Sequence, residues 1–173
     1  PAWPLPKIFR LTSKGKLIEG IFAGETINTP SMLANEDYLV ALKWAKSVGG
    51  LKGLIARATA NAQVVHDFCA ANPWIANLAE DAATASTTSV CLKFTDPRIK
   101  DGEAFAKAVA KRIEKAGAGF DLGSYRDAPP GLRIWCGSTI EAADVQALMP
   151  WIAHAFEAEI AALLAGGRAV TTE

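Results

Sequence analysis

Gly131-Leu132-Arg133-Ile134-Trp135-Cys136-Gly137, entered through Asp127-Ala128-Pro129-Pro130, decides how the second half of this chain folds. Apolar residues between glycines, after a Pro-Pro turn, read as a short strand. A strand this apolar is expected to be buried, and burying a lone guanidinium costs several kcal/mol unless an anion meets it. That anion is either a structural carboxylate, such as Asp121 or Asp127, or the carboxylate of a ligand; spacing leaves both open. Arg126 precedes the Pro-Pro turn, so loop and strand are expected to aim two cations at one place. The planar fork of arginine suits carboxylate and phosphate groups.

Outward from this strand the chain reads as a small α+β lobe. Ser89-Val90-Cys91-Leu92-Lys93-Phe94 is a strand, and Gly119-Phe120-Asp121-Leu122 is a candidate for another. Asp101 to Lys115 is an amphipathic helix with Phe105, Ala108, Val109 and Ile113 inward, stopped by Gly117. Ser138-Thr139-Ile140-Glu141 matches a capping box for a final helix reaching about Leu164. Pro150 is expected to kink or divide that helix. The strand–helix–strand–strand–helix order implies a mostly antiparallel sheet covered on one face by two helices.

Upstream, two long helices are expected. Residues 32–48 carry Tyr38, Leu42, Ala45 and Val48 on one face, Thr29 or Ser31 is placed to cap them, and Gly49-Gly50 breaks the helix. The second helix has Leu51, Leu54, Ile55, Ala58, Ala62, Val65 and Cys69 as its apolar stripe and ends at Ala71-Asn72-Pro73. Before them, Pro1, Pro4 and Pro6 forbid a helix. Ile8–Leu11 and Leu17–Phe22 suggest two short strands joined through Ser13-Lys14-Gly15.

A chain of 173 residues, half of them hydrophobic, has ordinary globular composition, as one domain or two small lobes. Eighteen basic and eighteen acidic residues balance, so no overall field favours nucleic acid or an anionic membrane. No unbroken apolar run of membrane-spanning length and no signal peptide is visible, and a cytoplasmic location is the expectation. Cys69, Cys91 and Cys136 are widely spaced in apolar surroundings and read as buried free thiols. His66 and His154 lack the neighbours a metal site or triad requires, so no metal is expected. Ser13-Lys14-Gly15-Lys16 lacks the glycine pattern of a phosphate loop and reads as a hairpin turn. The tryptophans Trp3, Trp44, Trp74, Trp135 and Trp151 are expected to pack or to line an interface.

Three segments carry a resemblance. Gly24-Glu25-Thr26-Ile27-Asn28-Thr29-Pro30, the helix end Leu42-Lys43-Trp44-Ala45-Lys46-Ser47-Val48-Gly49-Gly50, and Ser124-Tyr125-Arg126-Asp127-Ala128-Pro129-Pro130-Gly131-Leu132-Arg133-Ile134-Trp135 resemble phosphoserine aminotransferase in order and spacing. The resemblance implies an α/β chain, the C-terminal part of a pyridoxal-phosphate transferase of the aspartate-aminotransferase fold. Residues 1–30 would end the large cofactor domain, 31–72 would be connecting helices, and 73–173 a small α+β domain. It implies a homodimer that exchanges an amino group between glutamate and 3-phosphohydroxypyruvate in serine synthesis, with 2-oxoglutarate and phosphoserine as products. By the same resemblance Asn28 and Thr29 reach the pyridoxal 5'-phosphate of the partner subunit, and Arg133 holds the substrate α-carboxylate. Tyr125 departs from the family, since many members carry histidine there to bind the substrate phosphate, a contact that here falls to Arg126. The Schiff-base lysine lies upstream of these residues in the family, so they alone are expected to be inactive. A relative acting on a non-phosphorylated substrate, of the alanine–glyoxylate type, and a stand-alone ligand-binding module are the alternatives.

Overall fold

Alternation along two strands places the core of the second half. The computed structural model describes residues 4–168, so Trp3 and the first residues of the expected opening segment lie outside it. β3 (Ile75–Asn77), β4 (Ser89–Phe94) and β5 (Leu132–Trp135) form an antiparallel sheet in that order. Ile75, Val90, Leu92, Leu132 and Ile134 are buried and share one face. Cys91 lies directly opposite Arg133 and Ser89 opposite Trp135 on the other face. The strand is therefore buried on one side only, which corrects the expectation of a fully buried strand.

Three helices cover the inner face. α2 (Gly50–Ala71) contributes Ala62 and Val65, α3 (Gly102–Lys115) contributes Phe105, Val109 and Ile113, and α4 (Ala142–Arg168) contributes Val145, Met149, Ile152, Phe156 and Ile160. Trp74 stacks on Phe156 with ring centroids 3.9 Å apart and fills the end of this core. The antiparallel α+β arrangement matches the expectation, with α2 as a third covering helix and Ala106 in place of Ala108 among the buried α3 residues. Contacts divide the chain between Val48 and Gly49. α2 groups with the second unit because it packs on β3 and α4. The upper part of the α2 stripe is not core: Leu51 and Ile55 are exposed.

Local chemistry explains the ends of these elements. Asp101 caps α3 by accepting from the Ala104 N–H at 2.9 Å. Gly117 ends it in a left-handed turn (φ 68°), where its N–H meets the Glu114 carbonyl and the Ala118 N–H meets that of Ile113. β3, a strand the sequence reading omits, is only three residues long and follows Pro73. Residues 119–122 form no strand; a single bridge pairs Gly123 with Leu132. α4 starts at Ala142, after the expected capping box, and the Glu141 carboxylate meets Arg57 instead of a helix N–H. Pro150 lies inside α4 without dividing it. Ala142–Ala165 is long and apolar enough to cross a membrane by length and composition, but its apolar residues Ile152, Phe156 and Ile160 lie in the core.

β1 (Thr12–Ser13) and β2 (Lys16–Leu17) form a hairpin whose turn, Lys14 and Gly15, has positive φ at both positions (50° and 74°). Of the two strands expected at Ile8–Leu11 and Leu17–Phe22 only Leu17 is in a strand, and 3-10 segments at Lys7–Phe9 and Glu19–Ala23 stand in their place. α1 (Met32–Ser47) follows, capped by the Ser31 hydroxyl, which accepts from the Ala34 N–H. Its expected inward face is uncovered: Tyr38 and Leu42 are exposed and no α1 residue is buried.

A clamp ties α2 to the turn after β5. Asn61 is buried, and its amide nitrogen donates to the carbonyls of Cys136, Gly137 and Ile140 at 3.1–3.2 Å. One turn earlier Arg57 donates to the Ser138 carbonyl at 2.8 Å and to Glu141 Oε1 at 2.5 Å. Asn61→Ala strips the donor from buried carbonyls and is expected to cost about 1–3 kcal/mol, read by chemical denaturation. At the other end of β5, a methyl group on Gly131 would overlap the Leu92 carbonyl oxygen, whereas one on Gly123 meets nothing within 4 Å. Gly131→Ala is therefore expected to destabilise by roughly 1–3 kcal/mol or more while Gly123→Ala stays near neutral in the same assay.

Candidate functional site

Arg133 is fixed before any ligand arrives. Its backbone N–H donates to the Leu122 carbonyl at 2.9 Å, which ties β5 to the loop preceding Tyr125. Its side chain, on the sheet face away from the helices, is only 13% exposed. Nη2 donates to Asp121 Oδ2 at 2.5 Å and to the Asp121 carbonyl at 3.3 Å, and Nε to the Gly123 carbonyl at 3.4 Å. The Tyr125 ring lies beneath the guanidinium, 4.7 Å from its centroid to Cζ. Hydrogen bonding to Asp121 raises the arginine's pKa further above its usual value, so the charge is permanent. The anion that Arg133 requires is, in this structure, the Asp121 carboxylate.

Arg126 lies on an adjoining cleft. Tyr125 to Ala128 is a tight turn closed by the Ala128 N–H on the Tyr125 carbonyl at 3.1 Å. Arg126 lines a cleft of about 740 Å³ between α3 and residues 119–131, together with Lys107 and Lys111. Arg133 lines a second cleft of about 490 Å³, with Phe120, Trp135, Asp144 and Leu148. The turn places Arg126 beside α3 and the strand alternation holds Arg133 on the outer sheet face, and the two clefts adjoin along Gly119, Asp121 and Leu122. Asp121 borders both clefts.

Asn28 and Thr29 belong to the first unit. Both are exposed, in the bend between the 3-10 turn ending at Ala23 and α1. Ser31 caps the helix, so the Thr29 hydroxyl is not committed to that role. An exposed hydroxyl and amide just ahead of a helix N-terminus suit contact with a phosphate group. The thiols of Cys69 and Cys136 are pushed up to about 11 by burial and stay protonated, which fits packing. Among the described residues no group of three or more His, Cys, Asp and Glu is placed to hold a metal ion. The Arg57–Asn61 clamp escaped the sequence reading; its one signal was an asparagine and an arginine at helical spacing beside the apolar Ala58, Ala62 and Val65.

No protein-family model matches the chain. Phosphoserine aminotransferase of Methanosarcina barkeri (strain Fusaro) is 56% identical over 158 residues, which is 90% of this chain and 41% of that relative. Its counterpart in Methanosarcina mazei is 55% identical over 157 residues, or 91% and 41%. That of Corynebacterium glutamicum (strain R) is 28% identical over 137 residues. Among solved structures, phosphoserine aminotransferase from Bacillus circulans subsp. alkalophilus matches with a TM-score of 0.65 at 21% identity, over 76% of this chain and 34% of that one. Another, studied for radiation damage of its Schiff base, matches at 0.66 with 18% identity, over 79% and 36%. These structural matches establish the fold, that of aspartate-aminotransferase-like enzymes. The chain spans about two-fifths of the length of the curated relatives it matches. At 55–56% identity across nine-tenths of its length, the chain is similar to the matching two-fifths of these two phosphoserine aminotransferases.

Proposed function

We propose that this chain is the C-terminal part of a phosphoserine aminotransferase, a cytoplasmic homodimer that exchanges an amino group between glutamate and 3-phosphohydroxypyruvate. The observation that carries the reading is the 55–56% identity to two relatives of that name over nine-tenths of the chain. Pyridoxal phosphate, when bound, supplies the electron sink for the exchange. The residues here do the holding. Arg133 presents a planar fork to the substrate α-carboxylate, kept in aim by Gly123 and Tyr125. Arg126 offers a cation to the phosphate of the phosphorylated substrate, and Tyr125 at most a neutral hydrogen bond. Asn28 and Thr29 reach the cofactor phosphate of the partner subunit, a role their exposure and uncommitted hydroxyl allow.

Thr29 is tested in the intact protein. Because Ser31 caps α1, Thr29→Ala should leave folding unchanged. Loss of a hydrogen bond to a charged phosphate should weaken cofactor binding by roughly ten- to a hundredfold. Unchanged affinity in a cofactor titration would remove Thr29 from the site.

The arginines separate by substrate. Arg133→Ala should cut kcat/KM at least about a hundredfold, roughly 2.7 kcal/mol of transition-state stabilisation, for glutamate and the phosphorylated substrate alike. Arg133→Lys keeps the charge, loses the fork and should still impair both. Arg126→Ala should harm phosphorylated substrates more than non-phosphorylated analogues; equal loss on both would favour an enzyme of the alanine–glyoxylate type. Native circular dichroism with near-native turnover in Arg133→Ala would sink the carboxylate role.

A further inference from the structure

The ion pair at Arg133 is lopsided in a way that a purely structural pair need not be. The guanidinium side chain is 13% exposed, but that of Asp121 is 83% exposed. Asp121 reaches the fork from the solvent side with a single oxygen, Oδ2 on Nη2, so it fills only one arm of a group built for two-point contact. Its carboxylate makes no other hydrogen bond or ion pair among the described residues. Its backbone has φ 55°, a left-handed conformation uncommon outside glycine, in a segment that joins no strand. Arg133, by contrast, keeps the Gly123 carbonyl, the Asp121 carbonyl and the Tyr125 ring whether or not the Asp121 carboxylate stays.

We propose that Asp121 is an internal surrogate for the ligand carboxylate. It occupies the Arg133 fork in the empty site and must swing out for a substrate carboxylate to enter, so it sets the site's affinity threshold. The inference rests on the reading of Arg133 as the carboxylate holder. Exchange of one carboxylate for another leaves the guanidinium neutralised at every stage, avoiding the cost of an unpaired, mostly buried cation. A pair with so exposed a carboxylate is held weakly, which keeps the exchange reversible. The displaced side chain has solvent on its outer side, and the 490 Å³ cleft beside it has room for a small acid. Asp144 borders the same cleft and disfavours a second anion at that end, so Asp121 and Asp144 together select how a dicarboxylate lies.

The test is calorimetric titration of the intact protein with glutarate, a dicarboxylate with no amino group to exchange. Asp121→Asn and Asp121→Gly both tolerate the left-handed backbone, so neither adds strain. Each should bind glutarate about two- to fivefold more tightly than the parent, the worth of an exposed ion pair no longer competing. Arg133→Gln should bind it at least about tenfold more weakly. Adding Asp121→Asn to Arg133→Gln should then change nothing, since the two residues act through one fork. Equal or weaker binding by both Asp121 variants, with the Arg133→Gln loss intact, overturns the surrogate and leaves the carboxylate site standing. Unchanged binding by Arg133→Gln overturns the carboxylate reading itself, and the surrogate with it.

Discussion

The burial of Leu132 and Ile134 under α2, α3 and α4 is the constraint on which the candidate site depends. A strand has a period of two, so committing those residues to the core sends Arg133 and Trp135 to the opposite face. A one-residue slip of β5 would put the guanidinium in the core and two apolar side chains in water. The register is guarded at both ends. Gly131 allows β5 to approach the Leu92 carbonyl more closely than any residue with a Cβ permits, and the Arg57–Asn61 clamp holds the turn that leaves the strand. Neither device touches the fork of Arg133, yet both determine where it stands.

The outer sheet face has a different logic. Arg133 is screened from water by a loop rather than by a packed helix, and the loop supplies carbonyls, a ring and a carboxylate in turn. Such a wall is made of contacts that are individually weak and exchangeable. A core built from Val109, Ile113, Ile152 and Phe156 has no comparable freedom, because its close packing resists any change of volume. Rigid placement on one face and adaptable lining on the other suit a binding group that must be aimed but also vacated.

None of residues 4–48 is buried, although Ile8, Phe9, Phe22, Met32, Leu33 and Val40 are among them. So much exposed apolar surface gains nothing from this stretch folding by itself. That agrees with a chain spanning about two-fifths of its relatives' length. The helical periodicity of α1 was legible, but periodicity tells only which face is apolar, and covering that face requires residues from elsewhere.

Local signals in the sequence determined a good deal: α3 and its Gly117 stop, the β4 and β5 strands, the Ser13–Gly15 turn, and the antiparallel α+β arrangement. Each depends on neighbours a few residues apart, where backbone preference and side-chain spacing act directly. The resemblance carried by Asn28-Thr29 and by Tyr125 to Trp135 was legible as well, because it lies in contiguous residues. Tertiary structure alone decided the rest. It attached α2 to the sheet, chose Asp121 over Asp127 as the partner of Arg133, set Arg126 beside α3, and brought Arg57 and Asn61 to a turn some eighty residues away. The physical reason is the same in each case. Which of several compatible partners a polar group meets is settled by the packing of distant elements, and no local spacing records it.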